Sequence, residues 1–482
     1  MTAIDLGFFG GLTVAVLGLG KSGLSAARAL KTAGAEVWAW DDNEAGRERA
    51  AAEGLPIVDL QDCDWSQPVS LVLSPGIPHS FPMPHPVTDL ARHNGCEIIS
   101  DIELLARAQR GVRFVGITGT NGKSTTTALI AHILQQSGRR VAVGGNLGIP
   151  ALELEPLTQD GIYVLEMSSY QLEITRSITF DVAVLLNISP DHLDRHGGFD
   201  GYVAAKKLIF HRQSKACTAV VGTDDDTSRG LFEALAAAND QTIVPVSGNR
   251  IVDGGLYVSE GTLIDDRDGS AETVLDLSDL PNLPGDHNGQ NAAAAYAVAR
   301  ALGVTREEVV DGLRSFGGLP HRQELVDEID GVRYVNDSKA TNADAAARAL
   351  ACYDLIYWIA GGRAKEGGLD GLEEFYPRIA EVFLIGEAEA AFASVLEGRV
   401  PVTRCGTLAK AVRAAATAAN TTKQSQAAAP VVLLSPACAS FDQFPNFEAR
   451  GTAFKDAVAL IRKSDAANDG DAGKHAVGGD AA

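Results

Sequence analysis

The sequence contains no run approaching the roughly 18 consecutive apolar residues that a bilayer-spanning helix needs, so a soluble chain is expected. It lacks a basic segment ahead of its first apolar stretch, Leu6 to Gly20, where Asp5 stands instead. That stretch reads as a strand and a turn, not as a secretion signal. Cysteine is scarce: Cys63, Cys96, Cys217, Cys352, Cys405 and Cys438 are scattered with no CxxC spacing, which excludes an encoded disulfide framework or zinc site and fits a reducing cytoplasm. Positive charge is also short. Lys plus Arg number 41 against 62 Asp plus Glu, a formal charge of −21, and such a field opposes a broad nucleic-acid surface. There is no internal repeat.

What remains is an ordinary globular balance, 45 % apolar and 21 % charged over 482 residues, with a length that suggests about three domains at roughly 150 residues each. Strand-like apolar runs alternate with helical stretches, which implies α/β architecture with parallel sheets. The division expected is 1–108, 109–318 and 319–463, followed by a small, polar, acidic tail at 464–482 that reads as disordered. The Ala-rich stretches Ala292 to Ala301 and Ala411 to Ala419 read as surface-packed helices. Arg250 to Leu275 is irregular and polar, as a hairpin excursion would be.

Two glycine turns carry chemistry. Gly18, Gly20 and Gly23 follow the first strand and open a helix, with Asp41 at the end of the next strand, which is the spacing of a dinucleotide fingerprint. Its physics suits any nucleoside diphosphate, because glycines let backbone amides approach a pyrophosphate and the helix dipole favours its charge. The second turn, Gly116 to Thr126, ends in Gly-Lys-Ser: amides cradle phosphates, Lys123 supplies a point charge and Ser124 can ligate Mg²⁺. Its glycines fall at 116 and 119, a departure from the usual spacing.

The strand at Tyr163 to Leu165 then delivers Glu166, a metal candidate, to its carboxyl end. Asn187, Asp191, His192, Asp194, Arg195 and His196 follow the next strand, at the edge where α/β active sites form. A helix over Gly201 to Arg212 carries Tyr202, Lys206 and Lys207; adjacent helical residues point about 100° apart, so one lysine faces the cleft, and spacing does not choose which. In the third segment, Asp337 to Asn342 and Gly361 to Lys365 each follow a strand, and Ser435 to Phe444 forms a small-residue turn suited to a carboxylate. Cys438 reads as a buried structural thiol.

These residues resemble the Mur ligase family over nearly the whole chain to about residue 463. The general features are Gly-Thr-Asn-Gly-Lys-Ser-Thr (119–125), Asn-x-x-x-Asp-His (187–192), Gly-x-His-Asn-x-x-Asn (285–291) and Pro-His-Arg (320–322). More selective are Ser-Pro-Gly (74–76), Gly-Gly-Asn (144–146), Glu-x-Ser-Ser-Tyr-Gln-Leu-Glu (166–173) and the run 435–444, which point to the branch that adds D-glutamate to UDP-N-acetylmuramoyl-L-alanine. The Asp-Asn-Pro-Arg signature of the branch that adds a diamino acid is absent.

The resemblance implies a Rossmann-like N-terminal domain holding the UDP end of the substrate through Gly20, Ser22, Asp41, Asp42 and Gly76, with Asn146 near the muramoyl-alanine end. It implies a central P-loop domain in which Gly119, Thr120, Asn121, Gly122, Lys123, Ser124 and Thr125 bind ATP, joined by Asn291, Arg322 and Asp337. A Rossmann-like C-terminal domain would grip D-glutamate through Thr341, Lys365, Ser440, Phe441 and Phe447. Two Mg²⁺ ions would sit on Ser124 and Glu166 and on His192, with Lys206 as a carbamate. Lys123, Lys206, His192 and Glu166 are thus the implied catalytic set.

Carbamylation demands a perturbed lysine, since at pH 7.4 an ordinary one is only about one part in a thousand neutral. One position departs from the family: Arg363 stands where an acidic residue is common, so its partners must differ. The implied activity is ATP-dependent amide formation through an acyl phosphate in peptidoglycan precursor synthesis, by a monomer acting on small molecules at the junction of its three domains. A nicotinamide oxidoreductase would leave the P-loop unused, a GTPase would need an Asn-Lys-x-Asp that is absent, and a pure binding module would not need the metal ligands.

Overall fold

The computed structural model describes residues 4–146, 148–280, 282–285, 287–365, 367–422 and 428–475. It divides into two compact units, Met1–Asp279 with Asp286–Phe316, and Leu280–Gly285 with Gly317–Ala482.

The first unit contains two sheets. In one, β1 (Thr13–Leu17), β2 (Glu36–Trp40), β3 (Pro68–Leu73) and β4 (Glu97–Ile99) lie in the order β2-β1-β3-β4, all parallel. The other has nine strands: β5 (Arg113–Thr118), β6 (Val141–Gly145), β7 (Ile162–Glu166), β8 (Val182–Leu185), β9 (Thr218–Gly222), β10 (Thr242–Ser247), β11 (Leu256–Ser259), β12 (Thr262–Asp265) and β13 (Glu272–Asp276). Their order is β13-β12-β11-β10-β9-β8-β5-β7-β6. The parallel strands β5, β7, β8 and β9 are apolar on both faces and fully buried apart from the ends of β5 and β9, as strands covered by helices on both sides must be. The irregular stretch after residue 250 is an antiparallel meander, β11-β12-β13, that extends this sheet.

The boundary expected at 108/109 separates two sheets but not two compact bodies. One apolar core runs from Val14 and Leu30 through Ile102 and Leu105 to Phe114, Leu165 and Phe180. A polar clamp reinforces it. The Glu103 carboxylate, fully buried, accepts from the backbone N–H of Arg176 (2.7 Å) and of Ser177 (2.9 Å) and from Arg107 Nε (2.9 Å). Burial alone would push this carboxyl up, and the hydrogen bonds from Ser177, Arg176 and Arg107 outweigh it, leaving it below the usual range. Beside it Ser100 N donates to Ile174 O, and Ser100 Oγ lies 2.6 Å from Thr175 Oγ1.

One expectation fails here. The helix His287–Ala301, which holds the Ala292 to Ala301 stretch, is not at the surface: residues 288 to 299 are buried. Small side chains let it lie close against the P-loop helix Lys123–Gln136 and against β9 to β11, so here alanine serves close packing as well as propensity. By contrast the helix Leu408–Thr422 buries one face, through Ala411, Val412, Ala415, Ala416 and Ala419.

The second unit has one sheet: β14 (Glu324–Ile329), β15 (Val332–Asn336), β16 (Ile356–Gly361), β17 (Ile379–Ile385), β18 (Val402–Gly406) and β19 (Val431–Leu434), ordered β14-β15-β19-β16-β17-β18. All its pairs are parallel except β14·β15. The tail expected to be disordered from residue 464 is helical at first: the last helix is Phe447–His475. Extending an existing helix costs far less than nucleating one, so a sequence too polar to fold alone continues it. Residues 476–482 of that tail lie outside the described residues.

Candidate active site

In the nine-stranded sheet β8, β5 and β7 are neighbours, so the loops leaving their carboxyl ends share one edge, the usual place for a ligand in an open α/β sheet. After β5 the chain turns through Gly119 (φ 154) and Gly122 (φ 83) into the helix Lys123–Gln136. A side chain at Gly122 would stand 2.4 Å from Asn291 Oδ1, so only glycine fits. The turn is braced on both flanks. Asn121 N donates to Asn187 Oδ1 (2.8 Å), Asn187 Nδ2 reaches Gln290 Oε1 (3.1 Å), and Gln290 Nε2 reaches Asp224 Oδ2 (2.8 Å). Thr120 Oγ1 lies between Ser189 O (3.1 Å) and the Tyr202 hydroxyl (3.2 Å). Ser124 and Thr125 occupy the first helical turn, half-buried. Asn291 is buried beneath the loop, accepting from Thr126 Oγ1 (3.0 Å) and donating to Asn288 Oδ1 (2.8 Å), so it supports the phosphate turn from below.

The structure decides between the two lysines. The helix is Phe199–Lys207, followed by a 3₁₀ turn to Phe210, shorter than the stretch to Arg212 read from the sequence. Lys206 is 2 % exposed and Lys207 is exposed. Lys206 Nζ donates to Gly119 O (2.8 Å), the carbonyl that also accepts from Lys123 Nζ (2.9 Å), and it lies 4.6 Å over the Tyr202 ring. Burial first, and the neighbouring Lys123 second, bring the Lys206 amine down to about 6, against opposing contributions from Asp191 and Glu166. At pH 7.4 such an amine is more than nine-tenths neutral, by about 1.4 units of pH over pKa.

Glu166 ends β7 and is 3 % exposed. Its Oε1 accepts from Asn146 Nδ2 (2.7 Å), its backbone carbonyl accepts from Asn146 N (2.9 Å), and its Oε2 is buried without a hydrogen-bond partner. A buried carboxylate oxygen left unpaired is costly and marks a place for a cation. Among the described residues no three His, Cys, Asp or Glu side chains converge on one point; one carboxylate, a hydroxyl and water suit Mg²⁺, which keeps part of its hydration shell. His192 stands at φ 50, half-exposed, with Nε2 3.5 Å from Asp191 Oδ2 and its ring 5.3 Å from that of Tyr170.

The four-stranded sheet presents the other glycine turn. Gly18 (φ 89) leaves β1, and a methyl on Gly23 would fall 1.8 Å from Gly18 O, so the helix Lys21–Thr32 can seat closely only on glycine. Ser74 Oγ donates to Gly18 O (2.9 Å). Ser22 is in the first helical turn, with Gly20 just before it. Asp41 accepts from Leu19 N (2.5 Å) and Asn43 N (2.8 Å), so both its oxygens shape the turn. Asp42 pairs with His85 Nε2 (2.9 Å), and Gly76 O accepts from Arg195 of the short helix Leu193–His196 that follows β8 (2.8 Å).

In the second unit, three parallel strands end in the expected loops: Asp337 after β15, Gly361 to Lys365 after β16, and Ser435 to Ser440 after β19. Asp337 is buried, accepts from Ser435 Oγ (2.8 Å) and Gln323 N (3.2 Å), and is pushed by burial up to about 7. Arg322 and Thr341 are half-buried, Lys365 is exposed, Ser440 is buried, and Phe441 is 64 % exposed. The Phe447 ring carries Lys339 Nζ at 4.0 Å. Arg363 answers its departure from the family with its own acid, a two-bond pair to Glu387 at 3.1 Å each, both side chains exposed.

Sequence reasoning missed Arg450. From the last helix its buried guanidinium donates to Ser338 Oγ (2.9 Å), Ser338 O (2.8 Å) and Cys438 O (3.0 Å), pinning the two loops together, with burial bringing it down to about 10. Cys438 itself is fully buried and pushed up to about 12, which suits the structural reading.

Residues 117–299 match the Mur ligase middle domain. Over 469 residues the chain is 52 % identical to the UDP-N-acetylmuramoylalanine--D-glutamate ligase of Rhodospirillum rubrum, covering 96 % of this chain and 98 % of that one. It is 52 % identical over 456 residues to the ligase of the same name from Caulobacter vibrioides, 92 % and 95 % of the two chains. In fold it is similar to the UDP-N-acetylmuramate-alanine ligase MurC of Thermotoga maritima, with TM-score 0.55 at 17 % identity over 94 % of this chain and 100 % of that one. A Mycobacterium tuberculosis folylpolyglutamate synthase is similar at TM-score 0.52 and 16 % identity, over 73 % and 93 %. A match of this extent and identity, on a P-loop sheet with two further α/β sheets, places the chain in the Mur ligase family.

Proposed function

We propose that this chain joins D-glutamate to UDP-N-acetylmuramoyl-L-alanine with hydrolysis of ATP to ADP and phosphate, as a cytoplasmic monomer. The observation that carries the reading is Lys206: a lysine buried under a phosphate-binding turn and largely neutral at physiological pH is expensive, and it is explained by a site that needs a carbamate there. The names of the relatives supply the substrates.

The muramoyl-alanine carboxylate attacks the γ-phosphorus of ATP, the bond to the β-phosphate oxygen breaks, and ADP leaves. The amine of D-glutamate then attacks the carbonyl of the acyl phosphate, and collapse of the tetrahedral adduct releases phosphate. Lys123 and the amides of residues 119 to 125 hold the phosphates and balance the charge that spreads over them. Glu166, Ser124, His192 and the carbamate of Lys206 would hold two Mg²⁺ ions, which when bound would neutralise the transferring phosphoryl group. Asn146 fixes Glu166, and the amine of Lys206 would take up CO₂ and pass its proton to solvent. Gly20, Ser22 and the turn at 41 to 43 bind the UDP end. In the second unit Arg322 and Asp337 contact ATP, while Thr341, Lys365, Ser440, Phe441 and Phe447 hold D-glutamate.

Phosphate release measured with UDP-N-acetylmuramoyl-L-alanine, Mg²⁺, ATP and each glutamate enantiomer tests this. Turnover dependent on the D-form is expected. Turnover with the L-form on a folate acceptor, or none with the muramoyl substrate, overturns it.

A further inference from the structure

Two residues in the motifs at 166–173 and 187–196 have no task in that reaction, Glu173 and His196, and the structure joins them. His196 follows the catalytic loop with its side chain fully buried; its Nδ1 is 3.2 Å from Glu173 Oε1 and its Nε2 2.9 Å from Ser169 Oγ. The other Glu173 oxygen, Oε2, is 3.1 Å from Nε2 of His79, a residue of the loop that follows β3 in the four-stranded sheet. Arg92 donates to both the carbonyl and Nδ1 of His79. Arginine has donors only, so His79 Nδ1 accepts, its Nε2–H points at Glu173, and the carboxylate takes one imidazole N–H on each oxygen. Burial alone would raise this carboxyl; the bonds from His196 and His79 outweigh it and hold it at about 2, ionised throughout the working range.

The His196 ring meets two tyrosines. Tyr170 lies nearly parallel to it, at 13° with centroids 5.2 Å apart, and Tyr202 is tilted against it at 51°, with centroids 5.4 Å apart. Tyr170 in turn meets the His192 ring at 5.3 Å and carries the Arg195 guanidinium at 4.6 Å. Tyr202 touches Thr120 of the phosphate turn through its hydroxyl and Lys206 through its ring. One imidazole ring is therefore linked through a tyrosine on each path to His192 and to the Lys206–Thr120 side of the site.

We propose that Glu173 and His196 are positioning residues: the carboxylate, gripped from the first sheet by His79, sets the plane of His196, and that plane aligns His192 through Tyr170 and Lys206 through Tyr202. The inference rests on His192 and Lys206 belonging to the reaction centre. An amide at 173 keeps the shape but accepts on one oxygen only, so Glu173→Gln can keep the His79 N–H only by turning its NH2 to His196 Nδ1, which forces that ring into the other tautomer with Nε2–H on Ser169 Oγ.

The test uses the full chain and four variants, Glu173→Gln, Glu173→Asp, His196→Gln and Tyr170→Leu. Orienting partners of this kind are worth about 10- to 100-fold in metal affinity or activity. Glu173→Gln and His196→Gln are expected to lower kcat at least about 10-fold and to raise by a similar factor the Mg²⁺ concentration giving half-maximal rate, with KM for ATP unchanged. Glu173→Asp is expected to restore part of both. In metal-free protein the ring NMR signals of His192 should shift in Glu173→Gln, although residue 173 does not touch that ring. If either variant fails to fold, Tyr170→Leu, which leaves the Glu173 pairs whole, should show the same Mg²⁺ shift. Wild-type kcat, Mg²⁺ dependence and His192 signals, with only the melting temperature lowered, would overturn the proposal. A wild-type chain without D-glutamate-dependent turnover overturns the proposed reaction instead, and the ring signals still decide the coupling.

Discussion

Glu103 offers the sharpest test of why two sheets behave as one body. Glu103→Ala removes a fully buried carboxylate that accepts from Arg176 N, Ser177 N and Arg107 Nε. Breaking a buried charged pair costs roughly 3–5 kcal/mol. The low end applies here, because Arg176 and Ser177 are exposed residues and Arg107 keeps its bonds to Glu97 at 2.6 and 2.9 Å. A loss of about 3 kcal/mol, at roughly 2 °C per kcal/mol for a unit of this size, lowers the melting temperature by about 6 °C.

Glu103→Gln keeps one acceptor oxygen and should fall by about half as much. The pH dependence follows from the sign of the shift. The folded carboxyl lies below its unfolded value of 4.5, so the stabilisation is fully present above pH 4.5 and disappears as pH falls through the folded value. The gap between wild type and Glu103→Ala should then be flat from pH 6 to 8 and close in acid. Calorimetry of the full chain decides: a shift under about 2 °C at pH 7, or a gap that widens in acid, refutes the clamp.

Lys206→Ala should cut phosphate release at least about 100-fold without lowering the melting temperature, because a buried amine is a cost to folding; Lys207→Ala should leave both near wild type. Carbon-13 bicarbonate should give a carbamate NMR signal in the wild type and none in Lys206→Ala, and a signal surviving the substitution would refute the assignment. Gly116→Ala places a methyl 2.6 Å from the Phe180 ring and should destabilise by about 1–3 kcal/mol, read as a lower urea midpoint; an unchanged midpoint would refute that packing. Arg450→Met frees Ser338 and the Cys438 carbonyl, and should raise KM for D-glutamate while leaving muramoyl-nucleotide binding unchanged by calorimetry.

The strands β1, β5, β7, β8, β16 and β19 were legible because buried parallel strands are written as short apolar runs. The phosphate turn, Glu166 and the 187–192 loop were legible as a group, since adjacent parallel strands deliver their following loops to one edge. The Ala-rich helix at 287–301 was misplaced because propensity reports whether a helix forms, not what covers it. Spacing leaves Lys206 and Lys207 open, and only the family resemblance points to Lys206, because the choice is made by Tyr202 and Gly119, the latter 87 residues away in sequence. Arg450 and Ser338 are 112 residues apart, and Glu173 and His79 are 94 apart; no periodicity encodes pairs formed only by tertiary folding. The helix beyond residue 463 is not legible from composition, because what carries it is the helix that precedes it from Phe447.

The scarcity of thiols has a practical use. Cys96, Cys217, Cys405 and Cys438 are buried, whereas Cys63 and Cys352 are partly exposed. The former of these two belongs to the unit with the phosphate turn, the latter to the unit with the β14–β19 sheet. The native chain thus carries one partly exposed thiol on each body, and energy transfer between fluorophores placed there would measure the distance between the two bodies, with and without nucleotide, without any engineered residue.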